Sequence, residues 1–218
     1  YKRQVLLCAA FVFVMTPGLA MFYGGLVRKK NVVNTMMTSI FIIGIGIVMW
    51  VLFGYSLSFA PSGNAFIGDF RWLGLEGVSL TEGYTDDASI PNMVFSAFQM
   101  MFAVITPALI TGAVAGRMKF KSIFVFTIFW SLIVYYPLAH MVWGQGGLLG
   151  ADGIGALDFA GGDVVHISSG VSALVLCILL GKRHDYEHSI YRIHNIPTVV
   201  LGASLLMFGW FGFNAGSA

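Results

Sequence analysis

Two histidines stand inside long apolar stretches of a sequence otherwise poor in charge. His166 follows Asp163-Val164-Val165 and precedes Ile167-Ser168-Ser169-Gly170, whereas His140 lies within Pro137-Leu138-Ala139-His140-Met141-Val142-Trp143. A neutral imidazole donates through one ring nitrogen and accepts through the other, so at membrane depth it could line a conduction path. The competing reading is a histidine satisfied by a neighbouring helix carbonyl. Spacing leaves both readings open for His166. His140 comes close to the end of its stretch, where an interfacial structural role fits better. A metal site built on His140 and His166 lacks a third ligand at a recognisable spacing. Aromatic rings are the second signal: Phe98 and Phe102 are four apart and share a helix face, Trp143 closes the fourth stretch, and Phe213 lies towards the end of the sixth. Ring faces grouped at a mouth would bind a cation with about 0.5–2 kcal/mol per well-placed contact. Interfacial aromatic belts would account equally for an aromatic content of 15%.

The elements carrying these residues have to live in lipid. Hydrophobic residues make up 57% of the 218 and charged residues only 10%, with a mean hydropathy of +0.82, more than one soluble core of this size can hide. Apolar segments run over about 4–27, 32–60, 91–116, 122–143, 163–181 and 196–216, each long enough for the roughly 20-residue helix that crosses a bilayer. The expected fold is all-α, a polytopic membrane helix bundle forming a single transmembrane domain over 1–218. The first segment is too long for a signal peptide and ends in Gly24-Gly25-Leu26-Val27-Arg28-Lys29-Lys30, so it reads as a retained helix. Cys8 and Cys177 fall in apolar runs and read as small core residues. The pattern Gly112-Ala113-Val114-Ala115-Gly116 would allow close helix approach. A net charge of +2 gives no reason to expect nucleic acid.

Charge distribution orients the chain. Arg28, Lys29 and Lys30, then Arg117, Lys119 and Lys121, then Lys182, Arg183 and Arg192 occupy the loops after the first, third and fifth segments. The other loops hold Arg71 against Asp69, Glu76, Glu82, Asp86, Asp87, Asp152, Asp158 and Asp163. The positive-inside rule therefore places the odd-numbered loops in the cytoplasm and the N-terminus outside, against the dissent of Lys2 and Arg3. The chain begins without methionine and ends at Gly216-Ser217-Ala218 without a polar tail, so it is expected to be part of a longer polypeptide.

Four blocks together resemble one family. Met15-Thr16-Pro17-Gly18-Leu19-Ala20-Met21-Phe22-Tyr23-Gly24-Gly25-Leu26-Val27-Arg28-Lys29-Lys30-Asn31, Ala139-His140-Met141-Val142-Trp143-Gly144, Gly155-Ala156-Leu157-Asp158-Phe159-Ala160-Gly161-Gly162-Asp163-Val164-Val165-His166-Ile167 and Gly209-Trp210-Phe211-Gly212-Phe213-Asn214-Ala215-Gly216-Ser217 look like the ammonium transporter family (Amt/Mep/Rh), on its Amt side. The resemblance implies eleven spans in an inverted-repeat transporter, of which this chain is the first half plus the sixth span, assembled as a homotrimer in the plasma membrane. It implies an outer ammonium-binding site of Trp143, Phe102 and Ser217, and a gate in which Phe102 stacks on Phe213. It also implies pore-lining His166 and Gln99, with Asp158 and Phe98 structural near the site. A second pore histidine is expected in the tenth span, beyond this chain. Ammonium would be recruited, stripped of its proton, and passed on as ammonia. An alternative is an ammonium sensor carrying a signalling module; a PII-type regulatory protein is the other candidate partner. Neither cofactor nor metal is implied. An enzyme fits worst, because no nucleophile–base pair or phosphate-binding glycine loop stands in the right context.

Overall fold

The structure is a computed structural model, and it describes all residues except 62–63, 87, 152, 184–185 and 187–191. Asp87 and Asp152 of the acidic loop set lie outside the described residues. Six long helices make up the bundle: α1 (Lys2–Leu26), α2 (Lys29–Phe59), α3 (Asn92–Val114), α4 (Phe120–Trp143), α5 (Gly162–Leu180) and α6 (Ile196–Ala215). All six are long and apolar enough to cross a bilayer. In lipid every backbone polar group must find its partner within the chain, which selects helices for such segments. No strand forms among the described residues beyond an isolated bridge between Gly83 and Pro91.

Local chemistry sets the helix ends. α3 starts immediately after Pro91, whose fixed φ of −61° and extended ψ suit the entry to a helix. α6 starts at the Asn195 cap, whose side chain accepts from the Thr198 amide at 3.0 Å, with Pro197 in the first turn. Three π-helical turns interrupt the α-helical pattern, at Trp50–Gly54 in α2, Ser131–Tyr135 in α4 and Gly162–Ile167 in α5. Each widens the helix by one residue per turn and shifts the side chains beyond it to a new face.

Packing centres on α3, the most enclosed helix, which contacts α1, α2 and α5, while α1 lies along α6. Glycines make the α1–α6 seam. A Cβ on Gly202 would fall 2.3 Å from the Phe22 nitrogen and 2.6 Å from the Gly18 carbonyl oxygen, and one on Gly212 would fall 2.8 Å from the Cys8 carbonyl oxygen. The Gly112–Gly116 pattern does something different from the helix approach expected of it. Gly112 does pack closely, against the Tyr23 ring, but Gly116 lies past the end of α3 at φ +70°, a left-handed turn position that has no helix face.

The 61–90 connection is held to the bundle by stacked rings. Trp72 lies on Tyr55 at 5.4 Å and 15°, and Tyr84 lies on Phe95 at 5.0 Å and 7°. The Ser56 hydroxyl donates to the Asp69 carbonyl at 2.7 Å and accepts from the Trp72 amide at 3.0 Å. His140, fully buried in α4, places Nδ1 3.1 Å from the Ser58 carbonyl oxygen and Nε2 2.9 Å from that of Asn64. It therefore ties the end of α2 and the following loop to α4.

The glycine seam yields the first prediction. Gly202→Val, purified in detergent, will lower the apparent Tm by an amount equivalent to about 1–3 kcal/mol, because the added atoms meet backbone that cannot move aside. Gly44→Ala, where a Cβ meets nothing within 4 Å, will be neutral or stabilising by about 0.5–1 kcal/mol. Equal Tm values for the two variants would show that the seam tolerates side chains.

Candidate functional site

At the end of the bundle that carries the 61–90 loop lies a cavity of about 850 Å³, whose lining includes Phe98, Gln99, Phe102, Trp143, Asp158 and Ser217. α3 supplies Phe98, Gln99 and Phe102 from one stripe, α4 supplies Trp143 from its last turn, and Ser217 follows the end of α6. The structure thus brings five residues of the expected site, with Asp158, around one space. Phe213 and His166 are not in that lining.

They continue from it through ring contacts. Trp143 meets Phe102 edge-on at 6.1 Å, and Phe98 meets Phe102 edge-on at 4.9 Å. Phe102 meets Phe213 at 4.4 Å with the planes at 51°, tilted where parallel stacking was expected. Phe102 and Phe213 are each 1% exposed. Behind them the His166 imidazole stacks on Phe213 (5.8 Å, 28°) and on Trp210 (5.3 Å, 10°). The order from the cavity is therefore Trp143, Phe102, Phe213, His166, an unbroken aromatic path. A neighbouring carbonyl, the partner that a satisfied core histidine would need, does not reach the His166 ring among the described residues.

Hydrogen bonds hold the members of this path. The Trp143 indole N–H donates to the Asp158 carbonyl at 2.9 Å. The Asp158 carboxylate accepts four backbone amides at the start of α5: Gly161 (2.6 Å) and Gly162 (2.8 Å) on Oδ1, Asp163 (2.8 Å) and Val164 (2.9 Å) on Oδ2. A helix N-terminus presents orphan N–H groups and the positive end of its dipole, and one carboxylate here answers both. Gly161 sits at φ +89°, and a Cβ on it would stand 2.6 Å from Val165, so this position is restricted to glycine. The π-helical turn that follows sends the His166 amide to the Gly161 carbonyl at 2.9 Å. An α-helical count of rise from the start of the segment does not anticipate where that turn puts the imidazole.

Polar capacity remains in the cavity wall. The Ser217 hydroxyl donates to the Phe213 carbonyl at 2.9 Å, which leaves its oxygen lone pairs free to accept. Gln99 Oε1 is buried and accepts no hydrogen bond among the described residues. The cavity therefore offers acceptors and ring faces, the two kinds of group that a small all-donor cation requires.

Three contributors escaped sequence reasoning. Trp210 precedes Phe213 by three residues on one helix face, a spacing that could have marked it as a neighbour of anything touching Phe213. Tyr84 lines the cavity and its hydroxyl accepts from the Gln145 amide at 3.1 Å, a loop-to-loop pairing with no local signature. Gly161 belonged to a recognised block without a role of its own.

Six helices long and apolar enough to cross a bilayer, with an aromatic cavity at one end leading to a buried ring pair and a histidine, define a polytopic helical membrane protein. Residues 4–218 match the model of the Ammonium Transporter Family, and the chain belongs to that family. An ammonium transporter of Bacillus subtilis (strain 168) is 54% identical over 211 residues, covering 97% of this chain and 50% of the relative. The crystal structure of Candida albicans Mep2 superposes with a TM-score of 0.87 at 35% identity, covering 99% of this chain and 48% of that one. A structure described as a sensor Amt protein superposes with a TM-score of 0.84 at 29% identity, covering 99% and 54%. This chain spans about half the length of the relatives it matches.

The Asp158 network generates a prediction about stability. Asp158→Ala leaves four amides without their acceptor and will destabilise the protein by about 2–4 kcal/mol, with water replacing part of the loss at this partly buried site. Asp158→Asn keeps one carbonyl oxygen and will recover about half of that. Apparent Tm in detergent measures both, and equal values for Asp158→Ala and wild type would remove Asp158 as the anchor of α5.

Proposed function

We propose that the protein containing this chain carries ammonium or ammonia across the plasma membrane, with its N-terminus outside and the basic loops in the cytoplasm. The observation that carries this reading is the aromatic path from the cavity through Phe102 and Phe213 to His166, found in a member of the ammonium transporter family. In this reading Trp143 and Phe102 offer ring faces to ammonium and Ser217 offers an acceptor. Cation–π contact contributes about 0.5–2 kcal/mol per ring, enough to collect the ion at the mouth and too little to carry it into a dry lumen.

Desolvation decides the next step. A bare cation entering an apolar passage loses hydration worth many kcal/mol, whereas neutral ammonia loses little. Phe102 and Phe213, both buried, are the barrier that sets this requirement. His166 beyond them is an imidazole able to accept from ammonia or donate to it, and Gln99, with its unused oxygen on the cavity side, provides an acceptor before the barrier. Potassium has no proton to lose, so discrimination rests on chemistry as well as on size. The homotrimer and a PII-type regulatory partner belong to the same proposal. The sensor alternative is favoured by one observation, the superposition on a structure described as a sensor Amt protein. The open reading frame that follows residue 218 separates the two: a kinase or cyclase module supports the sensor, and a short tail after the remaining spans supports the transporter.

Two substitutions in the full-length protein test the site. Trp143→Leu will raise the apparent KM for methylammonium uptake or relax discrimination against other cations, at normal membrane abundance. Unchanged kinetics would reduce Trp143 to an interfacial anchor. His166→Ala will abolish methylammonium uptake or admit potassium while the protein stays folded. If uptake persists and only thermal stability falls, by about 1–3 kcal/mol, His166 is a packing residue.

A further inference from the structure

The aromatic cavity is far larger than the ion assigned to it. Ammonium is about the size of a water molecule, whose share of liquid volume is about 30 Å³, whereas the cavity holds about 850 Å³. That volume lies in the range of about 300–1,000 Å³ found for pockets that take organic ligands. Trp143, Phe102, Gln99 and Ser217 line only part of it. α1 adds Val5 and Cys8, the end of the 61–90 loop adds Ile90, and the first turn of α3 adds Phe95. These four side chains are partly buried, and the transport path uses none of them.

This apolar wall adjoins the polar one. Gly216, next to Ser217, lies so close to Cys8 and Phe98 that a Cβ on it would meet the Phe98 ring and stand 2.8 Å from Cys8 Cβ. Phe98 in turn meets Phe102 edge-on. Val5 precedes Cys8 by three residues and shares its helix face, so the wall runs on from the Ser217 side along α1 by about one turn, a rise of about 5 Å. On the α3 side Phe95 is fixed by its stack on Tyr84, whose hydroxyl accepts from the Gln145 amide. The lining holds no lysine, arginine or histidine among the described residues, so nothing in it repels a cation.

We propose that this cavity binds primary n-alkylammonium ions, with the ammonium group among Trp143, Phe102 and Ser217 and the alkyl chain along Val5, Cys8 and Ile90. A chain of about four carbons matches the extent of the α1 wall. The acceptors select the primary ion: the Ser217 lone pairs and Gln99 Oε1 take N–H donors, which a quaternary ammonium lacks. The position of the head group rests on the proposed ammonium site; the chain-length dependence is a property of the apolar wall.

The test measures inhibition of methylammonium uptake by the full-length protein in proteoliposomes, at fixed pH and ionic strength, with ethyl-, n-propyl- and n-butylammonium. Inhibition will be competitive, and Ki will fall about two- to fourfold with each added methylene. Tetramethylammonium and n-butanol, which supply a charge without N–H and a chain without charge, will not compete over the same range. Val5→Ser and Ile90→Ser will flatten the chain-length steps and leave the KM for methylammonium unchanged. In detergent, n-butylammonium will slow the labelling by a neutral maleimide that is lost in Cys8→Ala. A Ki independent of chain length, steps in both serine variants equal to those of the wild type, competition by n-butanol, or Cys8 labelling at the same rate with and without n-butylammonium would each overturn the proposal. Trp143→Leu keeps the two readings apart. If it raises the methylammonium KM while no alkylammonium competes in the wild type, the alkyl site alone fails; if it leaves that KM unchanged while the chain-length steps persist, the ammonium assignment fails and the apolar wall stands.

Discussion

Asp158 is the constraint on which the geometry at the aromatic end depends. Its carbonyl fixes the Trp143 indole and its carboxylate gathers the four amides that open α5. One residue thus sets the position of Trp143 on the near side of the buried Phe102–Phe213 pair and of His166 on the far side. The strength comes from charge: hydrogen bonds to an ionised acceptor are roughly twice as strong as neutral ones, and the helix dipole adds in the same sense. Gly161 makes the arrangement sterically feasible, because its left-handed backbone lets the chain turn back over the carboxylate before the π-helical turn begins.

The other half of the aromatic path hangs on α6, which buries little of its surface and is located chiefly by its seam with α1. In lipid, apolar contact alone gives helices no reason to associate, and small residues that allow backbone to touch backbone supply the attraction. Gly18, Gly202, Gly209 and Gly212 do this along one line. Their alignment brings Trp210, Phe213 and Ser217 against the α3 residues Phe98 and Phe102 and against His166 of α5. Overpacking the seam would therefore move the rings as well as weaken the bundle.

The two ends of the molecule differ in what they offer a ligand. At the aromatic end, ring faces, a serine oxygen and a glutamine oxygen line the cavity, and the Asp158 carboxylate in its wall is committed to backbone amides. At the other end, five cations surround a smaller space. The two cavities thus differ in lining, one offering ring faces and acceptor oxygens and the other basic side chains.

Much of this was legible in the sequence, because lipid imposes a simple rule. Any segment long enough to cross must be apolar and helical, so composition and run length determined the six helices and the all-α class, and the four motif blocks determined the family. The family resemblance named Phe98, Gln99, Phe102, Trp143, Asp158 and Ser217, which the structure assembles around one cavity. Only the tertiary structure decided how they meet. It placed His166 behind Phe213 and against Trp210, through a π-helical turn that periodicity cannot reveal, since the extra residue per turn depends on the Asp158 carboxylate meeting amides three to six residues away. It made Gly116 a turn residue, because α3 ends at Val114 where Arg117 takes over the Ala113 carbonyl. It also gathered basic residues from loops far apart in sequence into one cavity, a convergence that no local pattern encodes because it depends on which helix ends pack side by side.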